Sequence, residues 1–249
     1  MAYRSIQPII SFLTIIPGPK SLSNDLNSVA NSMHYFPLVG ALIGVIVGGF
    51  AYIISLYLQP LVVGFLITAV LALITGLHHT DALADFADGL MKSGERITKR
   101  NAMRDPAVGT AGVTAIVLYV AGMIIALSSF HHGVKLFSSI LAAEVIAKFV
   151  MVMQAHRGNS AWEGFSSPFT SAMKNKKKII IATITSIVVI WFAGTSYFGL
   201  VALTISLVCA AFIQYLSNRV FGGISGDVMG ASNEITRLCS LMVLSGIML

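Results

Sequence analysis

Apolar runs long enough to cross a bilayer constrain this chain more than any other feature. Near-continuous Leu, Ile, Val, Ala and Gly fill 37–57, 60–77, 108–129, 134–153, 179–194 and 197–216. A membrane-crossing helix needs about 20 such residues, so each run predicts a span. A seventh apolar segment at 238–249 is too short for a full crossing; it either starts inside a cavity near Gly230 or forms a half-helix. Only 10% of the 249 residues are charged and 56% are hydrophobic. A soluble domain carries roughly 25% charge, which excludes that class. The expectation is an all-α polytopic membrane bundle of six to seven helices, forming one domain over 1–249.

Cys209 and Cys239 stand in apolar surroundings without metal-ligand spacing and read as small hydrophobes. The opening, "MAYRSIQPIISFLTIIPGPK", has the basic residue and short apolar run of a signal peptide. It has no small-x-small cleavage site, and Pro8, Pro17 and Pro19 interrupt it, so it reads as a retained interfacial or re-entrant segment.

Lys and Arg set the orientation. Arg4 and Lys20 precede the first span, and Lys92, Arg96, Lys99, Arg100 and Arg104 lie in the 78–107 connection. Arg157, Lys174, Lys176, Lys177 and Lys178 lie in 155–178, with Arg219 and Arg237 further on. The intervening connections, near Gln59, His131-His132 and Gly194, hold almost nothing basic except Lys135. This alternation predicts a cell-membrane protein whose N-terminus and three large loops are cytoplasmic. The "KNKKK" run at 174–178 reads as an anchor to anionic lipid heads. Topology thus accounts for the net charge of +6 without a nucleic-acid partner. Within the spans stand Glu144 and, one turn on, Lys148; the i,i+4 spacing favours a mutually neutralising brace over a functional pair.

The segment "HHTDALADFADGLMKS" concentrates three aspartates in this oily chain. On a helix, Asp81, Asp85 and Asp88 fall within about 60° of arc, and His78 and Lys92 extend the stripe. Leu83, Phe86, Ala87 and Leu90 take the other face, which describes an amphipathic helix at the membrane's cytoplasmic edge. Like charges at this spacing destabilise a helix. A divalent cation relieves the repulsion, and Mg²⁺ favours a few carboxylates together with substrate phosphates. The plainer reading is a solvated acidic face balanced by Lys92, Arg96 and Lys99.

Downstream, "RDPAVGTAGV" supplies Arg104, Asp105, Gly109 and Gly112 before a span, either as an anion-accepting helix start or as a tight turn. The segment "GGISGDVMGASNEI" offers Gly223, Gly226 and Gly230 together with Asp227 and Glu234, which are seven apart and share a helix face. Its glycines suit a phosphate cradle or close helix packing. His78 and His79 lack a second cluster at zinc spacing. A histidine beside carboxylates suits a base or a phosphate donor.

These residues resemble the cobalamin synthase family, integral-membrane adenosylcobinamide-GDP ribazoletransferases. "FLTIIPGP" (12–19), "MHYFPLVGALIG" (33–44), "HTDALADFADGLM" (79–91), "MRDPAVGTAG" (103–112) and "GGISGDVMGASNE" (222–234) carry the resemblance in order along nearly the whole chain. Family members usually have Gly after the first aspartate, where this chain has Ala82; region 155–178 matches least. The resemblance implies transfer of alpha-ribazole, or its 5'-phosphate, to adenosylcobinamide-GDP, giving adenosylcobalamin or its phosphate and GMP. It implies one or two Mg²⁺ on Asp81, Asp85 and Asp88. Arg104 and Lys92 would contact phosphates, with Asp105 beside them. Asp227 and Glu234 would complete the metal shell or orient the hydroxyl, His79 would be a candidate base, and Gly109, Gly223, Gly226 and Gly230 would lie against substrate. A homo-oligomer, or a scaffold for other late corrinoid-assembly enzymes, is a further partner expectation.

Two rivals remain. A CDP-alcohol phosphotransferase also places aspartates on membrane-edge helices, but in a D-G-x2-A-R pattern; here no Arg follows Ala84 and the carboxylates are closer together. A divalent-cation transporter needs polar residues along a midplane path, where this chain offers only Glu144 and Lys148.

Overall fold

The computed structural model describes residues 2–17, 26–131 and 133–247. Pro19, Lys20, Asp25 and His132 lie outside the described residues. Twelve α-helices are present among the described residues: α1 (Ala2–Leu13), α2 (Leu26–Ser32), α3 (Phe36–Ser55), α4 (Pro60–Ile74), α5 (His78–Met91), α6 (Arg96–Ala102), α7 (Thr110–Ser128), α8 (Gly133–Arg157), α9 (Ser167–Met173), α10 (Lys176–Ile190), α11 (Ser196–Phe221) and α12 (Gly226–Ile247). No strand occurs among them beyond one parallel bridge, Ser160 to Ile224. The protein is an all-α polytopic membrane bundle. Leu26–Ser55, Thr110–Ser128, Gly133–Arg157, Lys176–Thr195 and Tyr197–Phe221 are each long and apolar enough to cross a bilayer.

The α8 helix is the hub, with 89% of its most apolar window buried, and α3, α10, α11 and α12 surround it. Lipid is as apolar as a leucine side chain, so helices here gain from close contact and not from escaping water. Gly40, Gly44 and Gly48, spaced by one turn on α3, provide it. A Cβ on Gly40 would lie 2.6 Å from the Glu144 carbonyl oxygen, and one on Gly44 would lie 2.7 Å from the Leu141 Cα.

The predicted span 60–77 departs from a straight crossing. Helix α4 stops at Ile74, the chain turns 92°, and α5 leaves along a new axis. Two consecutive left-handed residues make the corner, Gly76 (φ 65°) and Leu77 (φ 62°). Leucine rarely adopts that conformation, so the corner is held by its surroundings. The turn takes the aspartate-bearing helix out of the apolar run and lays it across α7 and α12.

The last element is longer than its apolar segment suggests. Helix α12 starts at Gly226, twelve residues before 238, and runs unbroken to Ile247. Its first half is polar because it is shielded by α5, α7 and α8 and not by lipid. Of the two readings for this segment, the start inside a cavity near Gly230 is the one realised.

Glu144 and Lys148 both lie buried on α8, but they do not pair along the helix. Glu144 accepts from Arg237 of α12, at 2.5 Å from Nε and 3.3 Å from Nη2. The Lys148 ammonium donates to Asn233 Oδ1 at 2.7 Å. Arg237 also donates through Nη1 to both Glu234 oxygens at 2.6 Å and to the Tyr119 hydroxyl at 3.0 Å. The expected i,i+4 brace is therefore a cross-helix network joining α7, α8 and α12, each of whose charges has a hydrogen-bonded partner.

Candidate active site

A cavity of about 540 Å³ opens between α5, α12, the loop at 159–166 and the start of α9. Its rim carries the exposed Arg104 and His78 and the half-buried Asp227; His79 is buried in its lining, and Phe12, Phe36, Phe165 and Phe169 form an aromatic wall. The loop before α12 shapes one side. Ile224 N–H donates to the Asn159 carbonyl, and Ala161 N–H donates to the Ile224 carbonyl, each at 2.9 Å. Gly223 is needed there, since a Cβ would lie 2.6 Å from Ala161 N and from Asn159 O. Gly226 and Gly230 line the cavity itself; a Cβ on Gly230 would meet Ala82 at 2.5 Å, which packs α12 onto α5.

Asp81 is exposed and Asp85 half-buried on α5, beside Asp227 in the first turn of α12. Burial, together with the charges of Asp81, Asp227 and Asp88, pushes the Asp85 carboxyl up to about 6. Burial also raises Asp227, whose Oδ2 accepts weakly from Ser225 Oγ at 3.4 Å and which Arg104 partly offsets. These carboxylates feel one another across two helices, and the region carries an excess of negative charge that a cation would relieve.

Asp88 has another occupation. Its Oδ2 accepts from Gly109 N–H at 2.7 Å and its Oδ1 from Gly112 N–H at 2.8 Å. It thus caps the start of α7 from a neighbouring helix, satisfying donors that have no partner within α7. Gly109 accordingly faces Asp88 and not the cavity. Glu234 does not join Asp227: one turn and more deeper in α12, both its oxygens face Arg237. Lys92 and Asp105 are exposed and do not line the cavity. Asp105 Oδ1 accepts from Ala107 N–H at 3.0 Å, and the Lys92 carbonyl accepts from Lys99 Nζ.

His79 is buried, its Nδ1 has no hydrogen-bond partner, and burial together with Lys148 and Arg237 holds its pKa well below the usual histidine range. It is therefore a neutral imidazole and a weak base. Trp162, Phe165 and Phe169 come from the region that the motifs left blank. The signal for them was present in "AWEGFSSPF", three large aromatics among small polar residues.

Among the described residues no three His, Cys, Asp or Glu side chains converge into a ready cage for a metal ion. A metal ion bound in this region would find its oxygen donors in Asp81, Asp85 and Asp227, whose charges act on one another.

The family profile described as Cobalamin-5-phosphate synthase matches residues 6–245. The chain belongs to that family. Among similar members of the cobalamin-5-phosphate synthase family, the adenosylcobinamide-GDP ribazoletransferase of Methanococcoides burtonii is 31% identical, covering 97% of this chain and 91% of its own. The protein of the same name from Pyrococcus abyssi is 32% identical over 95% of this chain and 96% of its own. That from Geotalea daltonii is 31% identical, covering 96% and 95%. No solved structure matches the chain.

Proposed function

We propose that this chain is an adenosylcobinamide-GDP ribazoletransferase whose reaction takes place at the rim of the α5–α12 cavity. The observation that carries this is the meeting of Arg104 and Asp227 on that rim, next to the mutually repelling Asp81 and Asp85. A ribose hydroxyl of alpha-ribazole, or of its 5'-phosphate, attacks the phosphorus attached to cobinamide. A new O–P bond forms, the bond to the GMP oxygen breaks, and GMP leaves.

Phosphoryl transfer is catalysed mainly by positioning and charge stabilisation. Mg²⁺ held by Asp81 and Asp85 would supply charge neutralisation at the diphosphate. The Arg104 guanidinium sits where it can pair with phosphate oxygens in the fork geometry that suits them. Asp227, whose carboxyl is raised by burial, is the rim group suited to accept the hydroxyl proton. Asp88 acts through α7, fixing the segment that carries Arg104.

The N-terminus and the basic loops are assigned to the cytoplasmic face of the cell membrane, where large charged substrates are available. Mass spectrometry of the corrinoid formed from adenosylcobinamide-GDP and alpha-ribazole by the purified protein tests the reading. The expected product is adenosylcobalamin. Turnover of a CDP-activated alcohol, with no corrinoid product, would overturn it.

A further inference from the structure

We infer that the aromatic part of the cavity is the seat of the nucleoside's base: a flat, largely apolar heterocycle with a single free ring nitrogen. This rests on the transferase reading and adds which part of which substrate enters the wall.

The four phenylalanines form one continuous surface, with ring centroids 5.6 to 6.4 Å apart across five pairs. Trp162 extends it, and Arg100 lies 4.4 Å from the centre of the indole, fixing that ring from behind. Aromatic faces of this kind stack on planar ligands.

The polar groups along the wall decide between the planar candidates. Ser11 Oγ donates to the Pro8 carbonyl at 3.1 Å. Ser160 Oγ donates to the Trp162 carbonyl at 2.5 Å and meets Ser166 Oγ at 2.6 Å, whose own proton goes to Ser160 or to the Ile224 carbonyl. Ser225 Oγ is taken by Asp227 and Val228 N–H. Among the buried side-chain atoms of this lining, His79 Nδ1 is the one without a hydrogen-bond partner.

A guanine presents a carbonyl, a ring N–H and an amino group along one edge. Seated here, it would bury most of them unpaired, at a cost that a site built for polar edges avoids. The base of alpha-ribazole has one bare ring nitrogen and an otherwise apolar outline. With its proton on Nδ1, His79 supplies the one matching donor. The corrinoid, larger than the drug-sized ligands a cavity of about 540 Å³ encloses, stays outside with the guanosine. The ribose then comes to rest at Asp227 and Arg104, where its hydroxyl is needed.

Trp162 and Trp191 are the chain's two tryptophans, and Trp191 is exposed and remote from the cavity lining. In a Trp191→Phe background, alpha-ribazole alone should quench Trp162 fluorescence saturably, with guanosine at the same concentration leaving it unchanged. In the transferase assay, Phe165→Leu should raise KM for alpha-ribazole about tenfold and leave KM for adenosylcobinamide-GDP unaltered. Phe165 is 51% exposed, so its replacement spares the fold; His79→Leu, with a melting temperature checked against wild type, should move the same KM. Quenching by guanosine, a KM change confined to adenosylcobinamide-GDP, or full turnover without any alpha-ribazole quench would each overturn the assignment. Quenching reports on the cavity even when no corrinoid forms, which separates failure of this inference from failure of the transferase reading.

Discussion

The Asp88 carboxylate fills the space that a side chain on Gly109 would need. A Cβ there would lie 2.5 Å from Oδ1, while the Gly109 N–H donates to Oδ2 at 2.7 Å. The fit repeats at Gly112, where a Cβ would lie 2.6 Å from Oδ2. Two glycines three apart thus read as a socket for one carboxylate. Losing a helix cap costs about 1 kcal/mol, so Asp88→Ala should lower stability by about that amount in thermal unfolding of the detergent-solubilised protein. Asp88→Asn keeps one acceptor oxygen but turns an amide NH2 toward the second backbone donor, so it should recover only part of it. Gly109→Ala should reproduce the Asp88→Ala loss of stability, because it expels the same carboxylate.

Asp85 gives a pH dependence with a definite sign. Its folded carboxyl titrates near 6 against an ordinary 3.8, so between those values the folded protein holds more proton than the unfolded chain. Stability present at low pH is therefore lost as pH rises through that window. In EDTA, the melting temperature should carry a downward contribution from pH 4 to pH 6 that Asp85→Asn removes. Stabilisation by added Mg²⁺ should grow over the same range, since deprotonated carboxylate is the ligand.

Arg237 neutralises Glu144 and Glu234 together. Replacing it with Met leaves two buried carboxylates without a cation, and breaking a buried pair from one side costs about 3–5 kcal/mol. Arg237→Met should give little folded protein on size-exclusion chromatography. Glu234→Gln keeps an acceptor for Arg237 and should leave the Mg²⁺ concentration for half-maximal activity unchanged. Asp227→Asn should reduce the rate itself, by roughly 100-fold for a lost proton acceptor.

The glycine stripe of α3 makes a packing prediction. Gly44 meets Leu141 of α8 at a distance no side chain tolerates. Gly44→Val should separate the two helices and destabilise the protein by about 1–3 kcal/mol, measured as a lowered melting temperature. Gly49, with nothing near its would-be Cβ, should accept alanine without loss.

Much of this was legible in the residues. Five of the six long apolar runs became helices close to their predicted limits, because hydropathy and length act locally. The sixth bends, because left-handed Leu77 is a tertiary effect that hydropathy does not register. The stripe placed Asp81, Asp85 and Asp88 on one face, as helical periodicity requires. It carried no sign that Asp88 reaches across to α7, since a cap from another helix leaves no local spacing. Glu234 shares a face with Asp227, yet Arg237, only three residues on, captures it. The aromatic wall is not legible in the sequence because its members come from three separate segments, at 12, 36 and 162–169, which only the fold brings together.

Release of GMP by the purified, detergent-solubilised protein, given adenosylcobinamide-GDP and alpha-ribazole with Mg²⁺ and then with EDTA, tests the central claim most directly. GMP formed in step with complete corrinoid, abolished by EDTA and by Asp85→Ala, is the predicted result. Folded protein that releases no GMP, or an Asp85→Ala protein with full activity, would contradict it.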